Sequence, residues 1–226
     1  MFPSDNATPH TAETYDAQVQ KTLPYYNSFH NETLNLIKAT DIEPRNWLDT
    51  GCGTGTFVQK AIAQFPNTHF VLADPSPQML SSAKAKLAGY SNIEFIEAPT
   101  EKLSNLKTQF DVITAIQSHH YSTTAKRQKA TQVSFNLLNP KGIYITFENT
   151  RPLTPQGTEI GKENWKNFQI RSGRDPATAE AHMKRFGTEY YPITLEEHLA
   201  LLRKTGFQVV ELLWYSYLQA GFYCIK

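Results

Sequence analysis

Apolar residues recur along this chain at two spacings. From Glu13 to Lys38 they fall at helical intervals: Tyr15, Val19 and Leu23, then Tyr26, Phe29, Leu34 and Ile37, with Pro24 between the runs. Side chains three and four apart share a face, and proline breaks the backbone ladder, so two helices meeting at a bend are expected. Residues 41–45 form a turn, and continuous apolar runs follow at 47–50, 69–74, 93–96, 110–116 and 143–147. Between them the helical spacing returns. Phe57, Ala61, Ile62 and Phe65 are stopped by Pro66. Met79, Leu80, Ala83 and Leu87 are opened by Pro75-Ser76-Pro77, since proline fits a first turn. A further helix, about 124–138, ends in the stop-and-turn Asn139-Pro140-Lys141-Gly142. Strands alternating with helices predict an α/β fold with a parallel sheet and right-handed crossovers.

The alternation fails over residues 151–192, which are polar, lack a strand pattern and have helical spacing around Trp165 and over 177–185. This segment is expected to be an inserted helical cap, with 1–150 and 193–226 forming the main domain. A helix follows, with Thr194 and Glu197 as a capping box and Gly206 as its stop. Residues 208–215 and 217–225 are β-rich and nearly contiguous, so an antiparallel closing hairpin is expected. Residues 1–12 read as a loose tail.

Composition narrows the function. A chain of 226 residues suits one α/β domain. A net charge of +1 without a long basic run argues against nucleic acid as a partner. No stretch is long and apolar enough to cross a bilayer, so no membrane role is expected. The polar start, Met1 to His10, lacks an apolar signal core, which predicts a cytoplasmic protein. Cys52 and Cys224 stand apart without metal-ligand spacing, so no metal is expected and Cys52 reads as a small packing residue.

The chemistry collects at the predicted strand ends. Gly51, Gly53 and Gly55 alternate after the first strand, and Asp49 stands two residues before them. Glycine permits positive φ and close approach of a ligand to the backbone. A dinucleotide fingerprint would space its glycines G-x-G-x-x-G; here the third comes one residue early, and the acid favours a ligand carrying positive charge. Asp74, Pro99, residues 115–120 and residues 148–151 fall at the same ends, where such sheets bind ligands.

As an ordered set, Leu48-Asp49-Thr50-Gly51-Cys52-Gly53-Thr54-Gly55, then Asp74, Phe110-Asp111-Val112 and Leu138-Asn139-Pro140-Lys141-Gly142 resemble the class I methyltransferases that use S-adenosylmethionine. The resemblance spans residues 1–150 and the closing hairpin. It implies a Rossmann-like, seven-stranded, mostly parallel sheet with a C-terminal antiparallel hairpin, S-adenosylmethionine as cofactor and a small-molecule acceptor; a homodimer is an allowed state. By that resemblance Asp49 faces the cofactor's ammonium, Gly51 and Gly53 make room for its methionyl portion, and Gly55 belongs to the same cofactor-binding turn. Asp74 accepts both ribose hydroxyls, and Pro75 and Met79 flank the adenine. Ala98, Pro99 and Thr100 occupy the place where relatives often carry an acid toward the adenine amino group. Proline cannot accept there, so Thr100, Glu101 or a backbone carbonyl must substitute, or apolar contact alone holds the base. Ala115 and Gln117 lie at the fourth strand tip, and Tyr15 and Tyr26 close over the cofactor. His120, or His119, is expected near the transferred methyl as a base or a substrate hydrogen bond.

Arg151, Trp165, Arg185 and Tyr190 are the expected acceptor contacts, with Phe168, Tyr191, Trp214, Arg171 and Arg174 as further candidates. Tyr15-Asp16, Leu23-Pro24-Tyr25-Tyr26-Asn27, Lys184-Arg185 and Glu211-Leu212-Leu213-Trp214-Tyr215 are similar to the subgroup that includes carboxy-S-adenosylmethionine synthases. Those enzymes hold a carboxylated cofactor with an arginine of the cap, for which Arg185 is the counterpart. That subgroup interrupts the glycine turn and this chain does not, which favours an ordinary methyltransferase. Methyl transfer from a sulfonium is an in-line displacement; the protein mainly positions the nucleophile and excludes water, with a base needed only for a protonated acceptor. A carboxy-S-adenosylmethionine synthase-like enzyme and a non-catalytic cofactor-binding module are the alternatives.

Overall fold

A computed structural model of the chain describes residues 7–226. The expectations for Met1 to Asn6 lie outside it. Helices α1 (Tyr15–Thr22) and α2 (Tyr26–Lys38) precede an alternating series: β1 (Asn46–Thr50), α3 (Thr56–Ile62), β2 (His69–Asp74), α4 (Pro77–Lys86), β3 (Ile93–Glu97), β4 (Phe110–Ile116), α5 (Thr124–Leu137) and β5 (Leu138–Asn149). Then come α6 (Pro155–Arg171), α7 (Pro176–Lys184), α8 (Leu195–Thr205), β6 (Val209–Ser216) and β7 (Gln219–Ile225).

The seven strands form one sheet in the order β3-β2-β1-β4-β5-β7-β6. β1 to β5 run parallel, β7 is antiparallel to β5, and β6 is antiparallel to β7. This is the mostly parallel sheet with a closing hairpin that the apolar spacing predicts. Its order reverses between β1 and β4, where sheets of this kind open a crevice.

Successive strand residues serve opposite faces. Trp47 packs on Phe57, Phe65 and Phe70 beneath α2 and α3, while neighbouring Leu48 joins Val71, Ile113 and Tyr144 under α5 and α8. Each such fully buried large apolar side chain contributes on the order of 2–3 kcal/mol. The helix starts follow local chemistry. The Met79 N–H donates to Ser76 Oγ with proline in the first turn, and Thr194 with Glu197 completes the capping box. At Pro24 the chain bends as expected, with Tyr25 in the left-handed region at φ 57°.

Three expectations are corrected. β5 begins at Leu138, not at residue 143, because Leu138 pairs with Phe110 before a register shift; Lys141 absorbs the turn at φ 66°. Pairing with β7 carries the same strand on to Asn149. Nor are the described residues of the expected tail loose: His10 and Ala12 are buried, and His10 Nε2 lies 2.9 Å from Thr22 Oγ1. The 151–192 segment does hold α6 and α7 where helical spacing was seen, and Trp165 Nε1 anchors it by donating to Thr22 O at 2.7 Å.

Candidate functional site

The carboxyl ends of β1 to β5 share one edge, and a cavity of about 270 Å³ opens there. One wall is Gly51, Gly53, Asp74, Pro75 and Met79; the other is residues 99–101 and 117–119; Tyr15, Tyr121 and Thr8 cover it. Two small chambers adjoin it. One, of about 30 Å³, is bounded by Asp49, Gly51, Gly53, Tyr15, Tyr26 and His30. The other, of about 20 Å³, is bounded by His10, Thr22, Gln117, Tyr121, Asn149 and His182.

The glycine turn is shaped by two different demands. At Gly51 (φ +69°) a Cβ would stand 2.3 Å from Ser118 Cβ, so the turn after β4 can approach only because this side chain is missing. At Gly53 (φ +53°) a Cβ would meet nothing within 4 Å. Its open face borders both the main cavity and the Asp49 chamber.

Two acids serve this turn. Asp74 Oδ2 accepts from the Gly53 N–H and Oδ1 from the Ser76 N–H, each at 2.9 Å, so one carboxylate ties the turn to the start of α4. Asp49 Oδ1 accepts from Thr114 Oγ1 at 2.6 Å, since β1 and β4 pair these residues in register. Trp47 Nε1 in turn donates to Thr114 Oγ1 at 3.0 Å. Burial pushes the Asp49 carboxyl up to about 7; the Thr114 bond works against this, and the Asp74 charge reinforces it.

The turn after β4 joins the chambers. Gln117 has φ 57° and lines both the main cavity and the His10–His182 chamber. Left-handed backbone at a non-glycine residue is unusual and concentrates at functional sites. Buried Gln117 Nε2 and Ser118 Oγ have no hydrogen-bond partner among the described residues. His119 borders the cavity with both ring nitrogens engaged, Nε2 2.9 Å from Thr100 Oγ1 and Nδ1 3.2 Å from the Tyr144 hydroxyl. His120 lies off the cavity walls, its ring beside Tyr121.

Glu148, at the end of β5, holds this turn. It accepts from the His119 N–H, the His120 N–H, His120 Nδ1 and Thr146 Oγ1, at 2.8 to 3.1 Å. Burial pushes its carboxyl up, but the His120 bond and charge, with the charges of His119 and His198, outweigh this and hold it at about 2. His120 Nε2 has no partner among the described residues.

Of the residues expected from sequence, Tyr15, Gly51, Gly53, Asp74, Pro75, Met79, Pro99, Thr100, Gln117 and His119 meet at the main cavity. Asp49 and Tyr26 meet at the chamber beside it. Gly55 packs against Leu87 and Ala83, while Ala98 and Ala115 belong to the core beneath. The expected acceptor contacts do not line these spaces. Arg151 pairs with Glu197 at the surface. Trp165 is in the core, and the Tyr190 hydroxyl donates to His182 O. Arg185 pairs with Glu189 and donates to Ala7 O.

Sequence reasoning gave His10 and His182 no place in the site, and it named Asp16 and Ser118 only within longer stretches, with no contact for either. Asp16 accepts from Thr54 and Thr56 and pairs with Lys86 at 2.6 Å, clasping α1 to the glycine turn and α4. No local signal marks any of the four. The acid Glu148 at the end of an apolar run is the one local cue to the buried histidine cluster.

Residues 48–144 match the sequence model of a family described as a methyltransferase domain. The chain is 25% identical over 202 residues to the carboxy-S-adenosyl-L-methionine synthase of Trichodesmium erythraeum, covering 88% of this chain and 79% of that one. It is 38% identical over 104 residues to malonyl-[acyl-carrier protein] O-methyltransferase 1 of Ilyobacter polytropus, covering 45% of this chain and 36% of that one. In fold it is similar to human N-acetylserotonin methyltransferase, solved in complex with S-adenosylmethionine, at TM-score 0.60 and 14% identity. That likeness takes in 100% of this chain, which spans only 60% of the human one.

Proposed function

The chain belongs to the class I S-adenosylmethionine-dependent methyltransferases, and from that premise we propose that it transfers a methyl group from S-adenosylmethionine to a small-molecule acceptor. The observation that carries the reading is the open face of Gly53, a cradle a Cβ would fill, lying between a chamber walled by Asp49 and a cavity walled by Asp74. The unpartnered Gln117 amide beside it supports the same reading. These residues fit a nucleoside that carries positive charge along its length.

The cofactor supplies a methyl group already activated on a sulfonium, so the chain's residues need only bind, orient and exclude water. Asp74 takes the ribose hydroxyls, and Pro75, Met79 and Pro99 give the base an apolar slot. Glu101 and Thr100 border that slot where an acid is often found in relatives. Asp49 faces the ammonium. The acceptor enters the chamber of Tyr121, Asn149 and His182. His182 lies on α7, which supports reading residues 151–192 as a cap over the acceptor. His119 positions the turn. A base role for His120 at its buried, unpartnered Nε2 is tested by a rate profile against pH. Two buried free thiols, Cys52 and Cys224, support a reducing, cytoplasmic setting.

Thermal unfolding with and without S-adenosylhomocysteine tests the reading. At a hundredfold excess over Kd, a rise in Tm on the order of 5 °C is expected. No rise with either S-adenosylmethionine or S-adenosylhomocysteine would overturn it. A carboxy-S-adenosylmethionine synthase-like activity is the second reading, supported by the Trichodesmium relative and by Arg185 donating to the carbonyl of Ala7, which borders the cavity. Mass spectrometry of the copurified nucleoside separates the two. Tight cofactor binding with no turnover across an acceptor panel would indicate a non-catalytic module instead.

A further inference from the structure

His30 is an unusual core residue. Its side chain is 1% exposed, and neither ring nitrogen has a hydrogen-bond partner among the described residues. The ring is held between Tyr26 and Phe57, with centroids 4.7 and 5.4 Å away. It faces the same 30 Å³ chamber as Asp49 and Gly53. A buried imidazole with no partner costs stability in proportion to its lost hydration, so a ligand that completes it explains its presence in this wall.

We propose that His30 donates a hydrogen bond to the carboxylate of the cofactor's amino-acid end, making this chamber the subsite that distinguishes nucleosides carrying that end from those lacking it. The inference rests on the S-adenosylmethionine reading above. An amino-acid end brings an ammonium and a carboxylate together into a narrow space. Asp49 suits the ammonium and repels the carboxylate, which must find a donor elsewhere. The hydroxyls of Thr54 and Thr56 already donate to Asp16, and the Tyr15–Tyr26 hydrogen bond commits one of that pair's two protons. His30 is the polar side chain of this wall that has no partner at all among the described residues. Burial, with the Lys60 charge, lowers its pKa to about 3 against the opposing pull of Asp16, so the ring is neutral with one N–H to give. The position is one turn of α2 beyond Tyr26, so both side chains face the glycine turn from the same helix.

Three nucleosides test the proposal by calorimetry: S-adenosylhomocysteine, its decarboxylated analogue S-adenosyl-3-thiopropylamine, and 5′-methylthioadenosine, which lacks the whole amino-acid end. The unaltered chain is expected to bind the decarboxylated analogue about tenfold to a hundredfold more weakly than S-adenosylhomocysteine. His30→Phe, which keeps the aromatic packing, is expected to lose the same factor for S-adenosylhomocysteine and none for 5′-methylthioadenosine. Its two carboxyl-differing ligands should then bind alike, and His30→Gln, which restores an N–H, should recover part of the loss. Equal binding of S-adenosylhomocysteine and its decarboxylated analogue by the unaltered chain would overturn the inference without any variant having to fold. So would a His30→Phe variant that binds S-adenosylhomocysteine at full strength. No binding of any of the three by the unaltered chain would overturn the cofactor reading, and this inference with it.

Discussion

The ends of β1 and β5 each carry a fully buried carboxylate, and the two are poised in opposite ways. Asp49 receives one hydroxyl bond and faces the charge of Asp74, so burial prevails and its carboxyl titrates near 7. Glu148 receives four bonds and lies among His119, His120 and His198, so burial is outweighed and its carboxyl titrates near 2. The difference lies in the donors supplied, not in depth. A buried acid saturated with donors holds structure, whereas one left short of them is prepared for a positive partner from outside.

The sharpest break in that comparison is Glu148→Gln. Removing a carboxylate that pairs with a buried histidine should cost about 3–5 kcal/mol, read by urea unfolding at neutral pH. A loss below 1 kcal/mol would mean that Glu148 does not hold the turn after β4. Asp49→Asn should do the reverse. Unfolding free energy at pH 8 should stay level or rise, while affinity for S-adenosylhomocysteine falls by about a hundredfold, as for a lost charged hydrogen bond of 1.5–3 kcal/mol. Unchanged affinity would remove Asp49 from the site.

pH sharpens the contrast. In the free protein Asp49 keeps its proton up to about 7, so binding a cation there releases it. Affinity should rise up to tenfold per pH unit below 7 and level off above, with the dependence abolished in Asp49→Asn. The stability effects have opposite signs. Asp49 is raised from 3.8 to about 7, so its contribution is fully present below pH 3.8 and is lost as pH rises to 7. Glu148 is lowered from 4.5 to about 2, so its contribution is present above pH 4.5 and is lost as pH falls toward 2. Unfolding measured across pH 2–8 in each single variant separates the two. The smallest effect expected is at the half-exposed clasp: Asp16→Asn should cost under about 1 kcal/mol, because exposed ion pairs are screened, while hastening release of S-adenosylhomocysteine in stopped flow.

Much of this site is legible in the sequence. Gly51, Gly53, Asp74, Pro75 and Met79 sit within one strand–turn–helix neighbourhood or at the next strand tip, and such geometry follows local rules. The acceptor contacts were not legible. Trp165 and Tyr190 carry the right chemistry for a pocket, yet packing places them in the core, Trp165 against Thr22 and Tyr190 over His182. Residue type marks a side chain as able to line a pocket but not which way the backbone that carries it turns.

The sequence by itself determined the order of strands and helices, the bend at Pro24, the helix start at Pro75-Ser76-Pro77, the cap at Thr194, and the glycine turn with its two acids. Each depends on backbone preferences and periodicities acting over a few neighbouring residues. Only the tertiary structure decided that His30 shares a chamber with Asp49, that Glu148 gathers the His119–His120 turn, and that Asp16 clasps α1 to α4. Those contacts join residues between 19 and 70 positions apart. They form because the buried faces of separate elements must pack together, and a chain's apolar spacing states that a face is buried without stating against what.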